Sequence, residues 1–124
     1  MDWKKPTTQL LGRFQPWHEG HTELFRRAVS HTGQVIILLR KADGGVKNPY
    51  TFEERKFLIT EALKKENYEY GKEFEIVEVP NIVHFTYGRD VGYTIMQEIL
   101  PKHLEKISAT EIRNRERAEQ GLLT

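Results

Sequence analysis

Gly12-Arg-Phe-Gln-Pro-Trp-His-Glu-Gly-His21 stands between a short, partly apolar run and an amphipathic one, and it sets His18 and His21 at the handover. The run before it, Gln9 to Phe14, reads as a first strand. After it Leu24, Phe25, Ala28 and Val29 recur at helical spacing from Gly20 to about His31, and Gly33 supplies the stop. The first turn of such a helix has unsatisfied N–H groups and a partial positive charge, so imidazoles placed there converge on an anion. Gly20 has no Cβ and leaves room for a phosphate close to the backbone. Two other readings of the pair stay open. One is a zinc pair, for which nearby ligands are lacking because the chain has no cysteine and Glu19 points to another face. The other is two inert surface histidines. His31, near the helix end, is expected to be a bystander.

Working outward, Val35-Ile-Ile-Leu-Leu39 is the continuous β-branched run of a strand covered on both faces in a parallel sheet, which completes a right-handed βαβ unit. Lys41 to Tyr50 carries loop chemistry. Thr51 with Glu54 is a capping box opening a second helix to about Lys65. Glu69 to Lys72 reads as a turn, Phe74 to Val79 as a third strand, and Ile82 to Tyr87 as a short fourth one. Asp90 is placed to cap a helix through Leu100 that Pro101 stops, and Ser108 to open the last helix. The expected fold is α/β, a single three-layer domain over residues 1–124 with a small, mostly parallel sheet, where ligands bind at the carboxyl ends of the strands.

Several further residues suit phosphate or nucleotide. Arg13 is apt for a phosphate or is a plain surface arginine at a strand end. Arg55 leads the stripe Arg55, Leu58, Ile59, Ala62 of the second helix, so its charge must reach a substrate phosphate or an acidic partner. Lys41 and Lys47 are loop lysines that either reach phosphates or merely solubilise. Gly88, Arg89 and Asp90 offer close approach, a donor and an acceptor, or simply a turn and a helix cap. Ser108-Ala-Thr-Glu111 is a second capping box, and the helix it opens is polar nearly all round, with Thr110, Arg113 and Arg117 on one face. Ser108, Thr110 and Arg113 are therefore candidates for holding phosphates.

His18-Glu-Gly-His21 and Ile107-Ser-Ala-Thr-Glu-Ile-Arg113, in this order near the two ends of the chain, resemble the HxGH nucleotidyltransferases, a cytidylyltransferase-like superfamily. The wording of the first motif, with Asn48-Pro-Tyr-Thr-Phe-Glu-Glu-Arg55, is most similar to the archaeal-type nicotinamide mononucleotide adenylyltransferases. The length is closer to the glycerol-phosphate cytidylyltransferases. The resemblance implies that the three-layer α/β domain is a Rossmann-like nucleotidyltransferase domain, and that it transfers a nucleoside monophosphate from a triphosphate to a phosphorylated acceptor, with pyrophosphate released. ATP and nicotinamide mononucleotide are the favoured pair, and CTP with a small phosphorylated alcohol is the alternative. By the same resemblance His18, His21 and Arg113 are catalytic, while Gly12, Arg13, Phe14, Gln15, Gly20, Lys41, Arg55, Gly88, Arg89, Asp90, Ser108 and Thr110 contact nucleotide or substrate. Mg²⁺ travels with the triphosphate and no protein metal site is expected.

The 124 residues suffice for one core, and a net charge of +1 from 19 basic and 18 acidic side chains gives no field of one sign for nucleic acid or membrane. Absent cysteine excludes disulfides and thiolate chemistry, and no apolar stretch reaches membrane-spanning length. The expected setting is soluble and cytoplasmic, with a homo-oligomer, a dimer, left open. A non-catalytic nucleotide-binding module, a metal-dependent hydrolase and a fragment of a class I aminoacyl-tRNA synthetase are the competing classes. The absence of a basic patch speaks against the last.

Overall fold

The computed structural model describes residues 1–42, 44–89 and 92–106, and within them the order is β1 (Thr8–Gly12), α1 (Glu19–Thr32), β2 (Val35–Arg40), α2 (Phe52–Lys64), β3 (Phe74–Val79) and α3 (Lys102–Glu105). The three strands form one parallel sheet in the order β1-β2-β3, with Leu10 opposite Ile37 and Ile37 opposite Ile76. Those three side chains share a face, because neighbours in register point the same way. With Val35, Leu39 and Phe74 they meet Phe25 and Ala28 of α1 and Ile59 and Leu63 of α2 in one buried cluster. Both helices thus close the same face. On the other face Ile36 and Leu38 are half-buried and Val77 is exposed.

The boundaries follow local chemistry. α2 opens with the expected reciprocal box, Glu54 N donating to Thr51 Oγ1 and Thr51 N to Glu54 Oε1, both at 3.1 Å. α1 ends at Gly33, whose φ of 82° lets its N–H return to the Val29 carbonyl at 2.7 Å. In α2 the buried stripe is Arg55, Ile59 and Leu63, whereas Leu58 faces out.

Two expected elements do not form. Ile82 to Tyr87 is not a strand: the chain leaves the sheet at Pro80, Ile82 N turns back to the Pro80 carbonyl at 2.8 Å, and Val83, Phe85 and Tyr87 stay exposed. Alternation supplies a pattern but not a sheet edge to pair with. Residues 92–100 are not helical either. Gly92 sits at a φ of 86°, the next residues include the poor helix formers Tyr93, Thr94 and Ile95, and Glu98 is drawn to α1. The turn after Pro101 is helical instead, with Leu104 buried. The last expected helix, from Ser108, lies outside the described residues.

Candidate active site

His18 is the N-cap of α1 and His21 its third residue, and together they form a capping box made of imidazoles. Gly20 N donates to His18 Nδ1 at 3.1 Å, and His18 N donates to His21 Nδ1 at 3.1 Å. A ring nitrogen that accepts from a backbone N–H carries no proton, so each neutral ring holds its proton on Nε2. The two rings stack at 3.7 Å with 22° between their planes. Burial pushes the His18 pKa below its usual range, and burial together with the neighbouring His18 ring pushes His21 down to about 3. The pair is therefore neutral near pH 7 and presents two N–H donors at a helix N-terminus, which suits phosphate oxygens. It does not suit zinc: a proton on Nε2 leaves no lone pair for a metal, and the Nδ1 lone pairs are engaged.

The loop before the pair packs it in place. Phe14 is buried at a φ of 49°, a conformation that costs a side chain roughly 1 kcal/mol. Its ring meets His21 edge-on at 4.8 Å and lies over Gly12, where a Cβ would sit 2.9 Å away from it. Gly12 is thus a glycine because Phe14 folds back over it. Trp17, 5.4 Å from His21, is buried and donates from Nε1 to Thr22 Oγ1 at 2.8 Å. Gln15 is buried too, and its amide pairs both ways with the Tyr50 backbone, at 3.0 and 2.9 Å, tying this loop to the start of α2. Phe14 and Gln15, the expected nucleotide contacts, are both buried and shape the loop that carries the pair. Trp17 and Thr22 were missed as supports, although a tryptophan with a hydroxyl five residues on is a legible signal.

Gly20 also departs from the expectation. A Cβ there would lie 3.0 Å from the His18 ring and 3.3 Å from the Leu104 carbonyl, so protein atoms occupy the space its missing side chain leaves. Arg55 is the larger correction. It is 2% exposed, and its guanidinium donates to the backbone carbonyls of Arg13 at 3.0 Å, Arg40 at 2.9 Å and Thr51 at 3.3 Å, with the Glu78 carboxylate 3.9 Å away. Burial lowers its pKa, while Glu78 raises it. Its Nε and Nη1 donors go to backbone carbonyls at the ends of β1 and β2 and at the N-cap of α2, and the side chain is closed off rather than open to a substrate. Arg13 is exposed and donates to Asn48 Oδ1 at 3.3 Å, on the same side of the sheet. Lys41 is exposed at the end of the β2 ladder. Gly88 and Arg89 lie on the exposed stretch between Tyr87 and Tyr93, and a Cβ at Gly88 would meet no protein atom within 4 Å. Asp90, Ser108, Thr110 and Arg113 lie outside the described residues. Among the described residues no cluster of three or more acidic or histidine side chains could hold a metal, and no helix is long and apolar enough to cross a membrane.

The model of one protein family, described as cytidylyltransferase-like, matches residues 10–115. The chain belongs to that family. Its HxGH box is thus the family's first motif seen here as a helix cap. The chain is 40% identical over 65 residues to the nicotinamide-nucleotide adenylyltransferase of Thermoplasma acidophilum, covering 51% of this chain and 36% of that enzyme. It is 31% identical over 134 aligned positions to the enzyme of the same name from Thermococcus onnurineus, covering 86% and 70%. It thus spans about a third of the length of some curated relatives and about two thirds of others. Among solved structures it superposes on a bifunctional NMN adenylyltransferase/ADP ribose pyrophosphatase from Francisella tularensis, complexed with AMP and a manganese ion, with a TM-score of 0.54, 28% identity and coverage of 62% of this chain and 23% of that one. These likenesses place the small parallel sheet and its helices among the Rossmann-like nucleotidyltransferase folds.

Proposed function

We propose that this chain transfers the adenylyl group of ATP to nicotinamide mononucleotide, forming NAD and pyrophosphate, and that the imidazole pair at the start of α1 is its catalytic centre. The observation that carries this reading is the double Nε2–H donor fixed by the capping box, in a family whose relatives here are named for that activity. The acceptor's phosphate monoester is largely dianionic near neutral pH, so its oxygen attacks the α-phosphorus without a general base. As that bond forms, the bond from the α-phosphorus to the bridging oxygen breaks, and pyrophosphate leaves with the electron pair. His18 and His21 donate to the α-phosphate and the bridging oxygen, where negative charge develops, and being neutral and already oriented they need no rearrangement. Ser108, Thr110 and Arg113 complete the hold on the departing phosphates. Arg13 and Lys41, exposed just past the ends of β1 and β2, add positive charge for the nucleotide phosphates.

The site residues fit a metal that arrives with the nucleotide, since both imidazoles are hydrogen-bond donors rather than metal ligands. Mg²⁺ bound to the triphosphate would neutralise charge there and keep most of its waters. In this reading the chain works as one nucleotidyltransferase domain in the cytoplasm, on small molecules, with neither nucleic acid nor membrane as partner, and a dimer is compatible with it.

The test is pyrophosphate release from ATP and CTP, each offered nicotinamide mononucleotide or glycerol phosphate in Mg²⁺, with NAD followed separately. ATP with nicotinamide mononucleotide is expected to release pyrophosphate and NAD in equal amounts. Preferential use of CTP with glycerol phosphate would move the assignment to cytidylyl transfer, and nucleotide binding without pyrophosphate from any pair would leave a binding module.

A further inference from the structure

The stretch from Glu98 to Lys106 runs back along α1, from its C-terminal half to its first turn. At one end Glu98 Oε1 meets His31 Nε2 at 2.8 Å, its other oxygen lies 3.9 Å from Arg27 Nη1, and Arg27 Nη1 donates to the Ile99 carbonyl at 2.7 Å. At the other end Leu104 is buried, and its carbonyl lies 3.3 Å from where a Gly20 Cβ would stand, beside the His18 ring. From His31 back to Gly20 the helix rises roughly 16 Å. Six residues lead from Glu98 to Leu104, a reach of roughly 20 Å at full extension, and the turn after Pro101 shortens it. The strap has little slack, so where Glu98 is held decides where Leu104 presses.

We propose that Glu98, held by Arg27 and His31, is a positioning residue for the His18–His21 pair, acting through Leu104 on Gly20; the catalytic consequence rests on the adenylyl-transfer reading, the placement of the rings does not. The contact is suited to this. Gly20 N donates the bond that fixes the His18 tautomer, and Leu104 packs against that same residue. A shift of the strap is felt first by the peptide that orients the imidazole. His31, expected to be a bystander, takes part in the clamp. Lys106, two residues beyond Leu104, also leads directly into Ile107, the start of the second motif.

The experiment compares the full chain with Glu98→Ala, Leu104→Ala and the double variant, reading the His18 side-chain NMR signals without nucleotide and kcat and KM with ATP and nicotinamide mononucleotide. Glu98→Ala is expected to move the His18 signals and to lower kcat about threefold to thirtyfold, the span usual for coupling through packed contacts, with KM nearly unchanged. In the Leu104→Ala background it should do little further, because the buried side chain that seats the Leu104 carbonyl against Gly20 is gone and the strap no longer transmits the shift. Unmoved His18 signals, or effects that add in the double variant, overturn the proposal. If the parent shows no turnover, the adenylyl-transfer reading fails and the His18 signals alone still decide the clamp. Should Glu98→Ala not fold, Glu98→Gln keeps an acceptor for Arg27 without the charge, and a smaller displacement of the same signals is expected.

Discussion

Lowering the pH should destabilise this protein through His21 in a way that one substitution abolishes. The unfolded imidazole titrates near its ordinary value of 6.5, whereas the folded one is held down to about 3 by burial and by the His18 ring. Between those limits the unfolded chain binds a proton that the folded chain refuses, so stability is complete above about pH 6.5 and declines as the pH falls toward 3. Each unit in that window removes about 1.4 kcal/mol, so at pH 5 the loss from His21 is about 2 kcal/mol, a large share of a typical domain's stability. His18 contributes in the same direction. Other titrating groups cancel when the parent is compared with His21→Gln, because glutamine at that position can accept the His18 N–H as in an ordinary capping box but does not titrate. Urea unfolding from about pH 7.5 to pH 5 should give two curves separated by a constant at the upper end and converging or crossing by about 2 kcal/mol at the lower, with the parent losing more. Parallel curves over that window would refute the neutral, buried assignment of His21. So would a direct imidazole titration with a midpoint near 6.

His21→Ala should lower kcat on the order of a hundredfold while ATP affinity changes little, as steady-state kinetics and calorimetry would establish, because a donor aimed at developing charge acts mainly on the transition state. Arg55→Ala should cost about 3–5 kcal/mol in chemical denaturation, since it strands the carbonyls of Arg13 and Arg40 at the ends of β1 and β2 and that of Thr51 at the start of α2. Nucleotide should not restore that loss, which separates a structural guanidinium from a ligand-binding one. Gly20→Ala pushes a methyl against the His18 ring and the Leu104 carbonyl, and should cost about 1–3 kcal/mol and most of the turnover, measured on the same preparations.

What the sequence disclosed was what neighbours in the chain decide. The Thr51–Glu54 box, the β-branched run of β2 and the stop at Gly33 involve residues a few places apart, and β3 forms over Phe74–Val79, the bounds expected for it. The histidine pair was legible for the same reason. Arg55 was recognisable as a charge in an apolar stripe, but its partners are carbonyls 15 and 42 residues away, which no local pattern announces. The link from His31 to Glu98 crosses 67 residues and was equally hidden. Ile82 to Tyr87 misled because alternation describes a strand's faces and not whether an edge receives it.

The capping box at the start of α1 has a consequence for how such a chain can change over generations. Serine and glutamate are the common occupants of those two positions in helices at large, and they make the same two backbone bonds that His18 and His21 make here. The double exchange His18→Ser with His21→Glu therefore retains the two bonds of the helix start and deletes both Nε2–H groups at once. In the adenylyl-transfer reading, two codons separate the donor pair from a helix cap that lacks it. The helix start by itself therefore does not require imidazoles at these two positions, whereas the proposed donation to phosphate does.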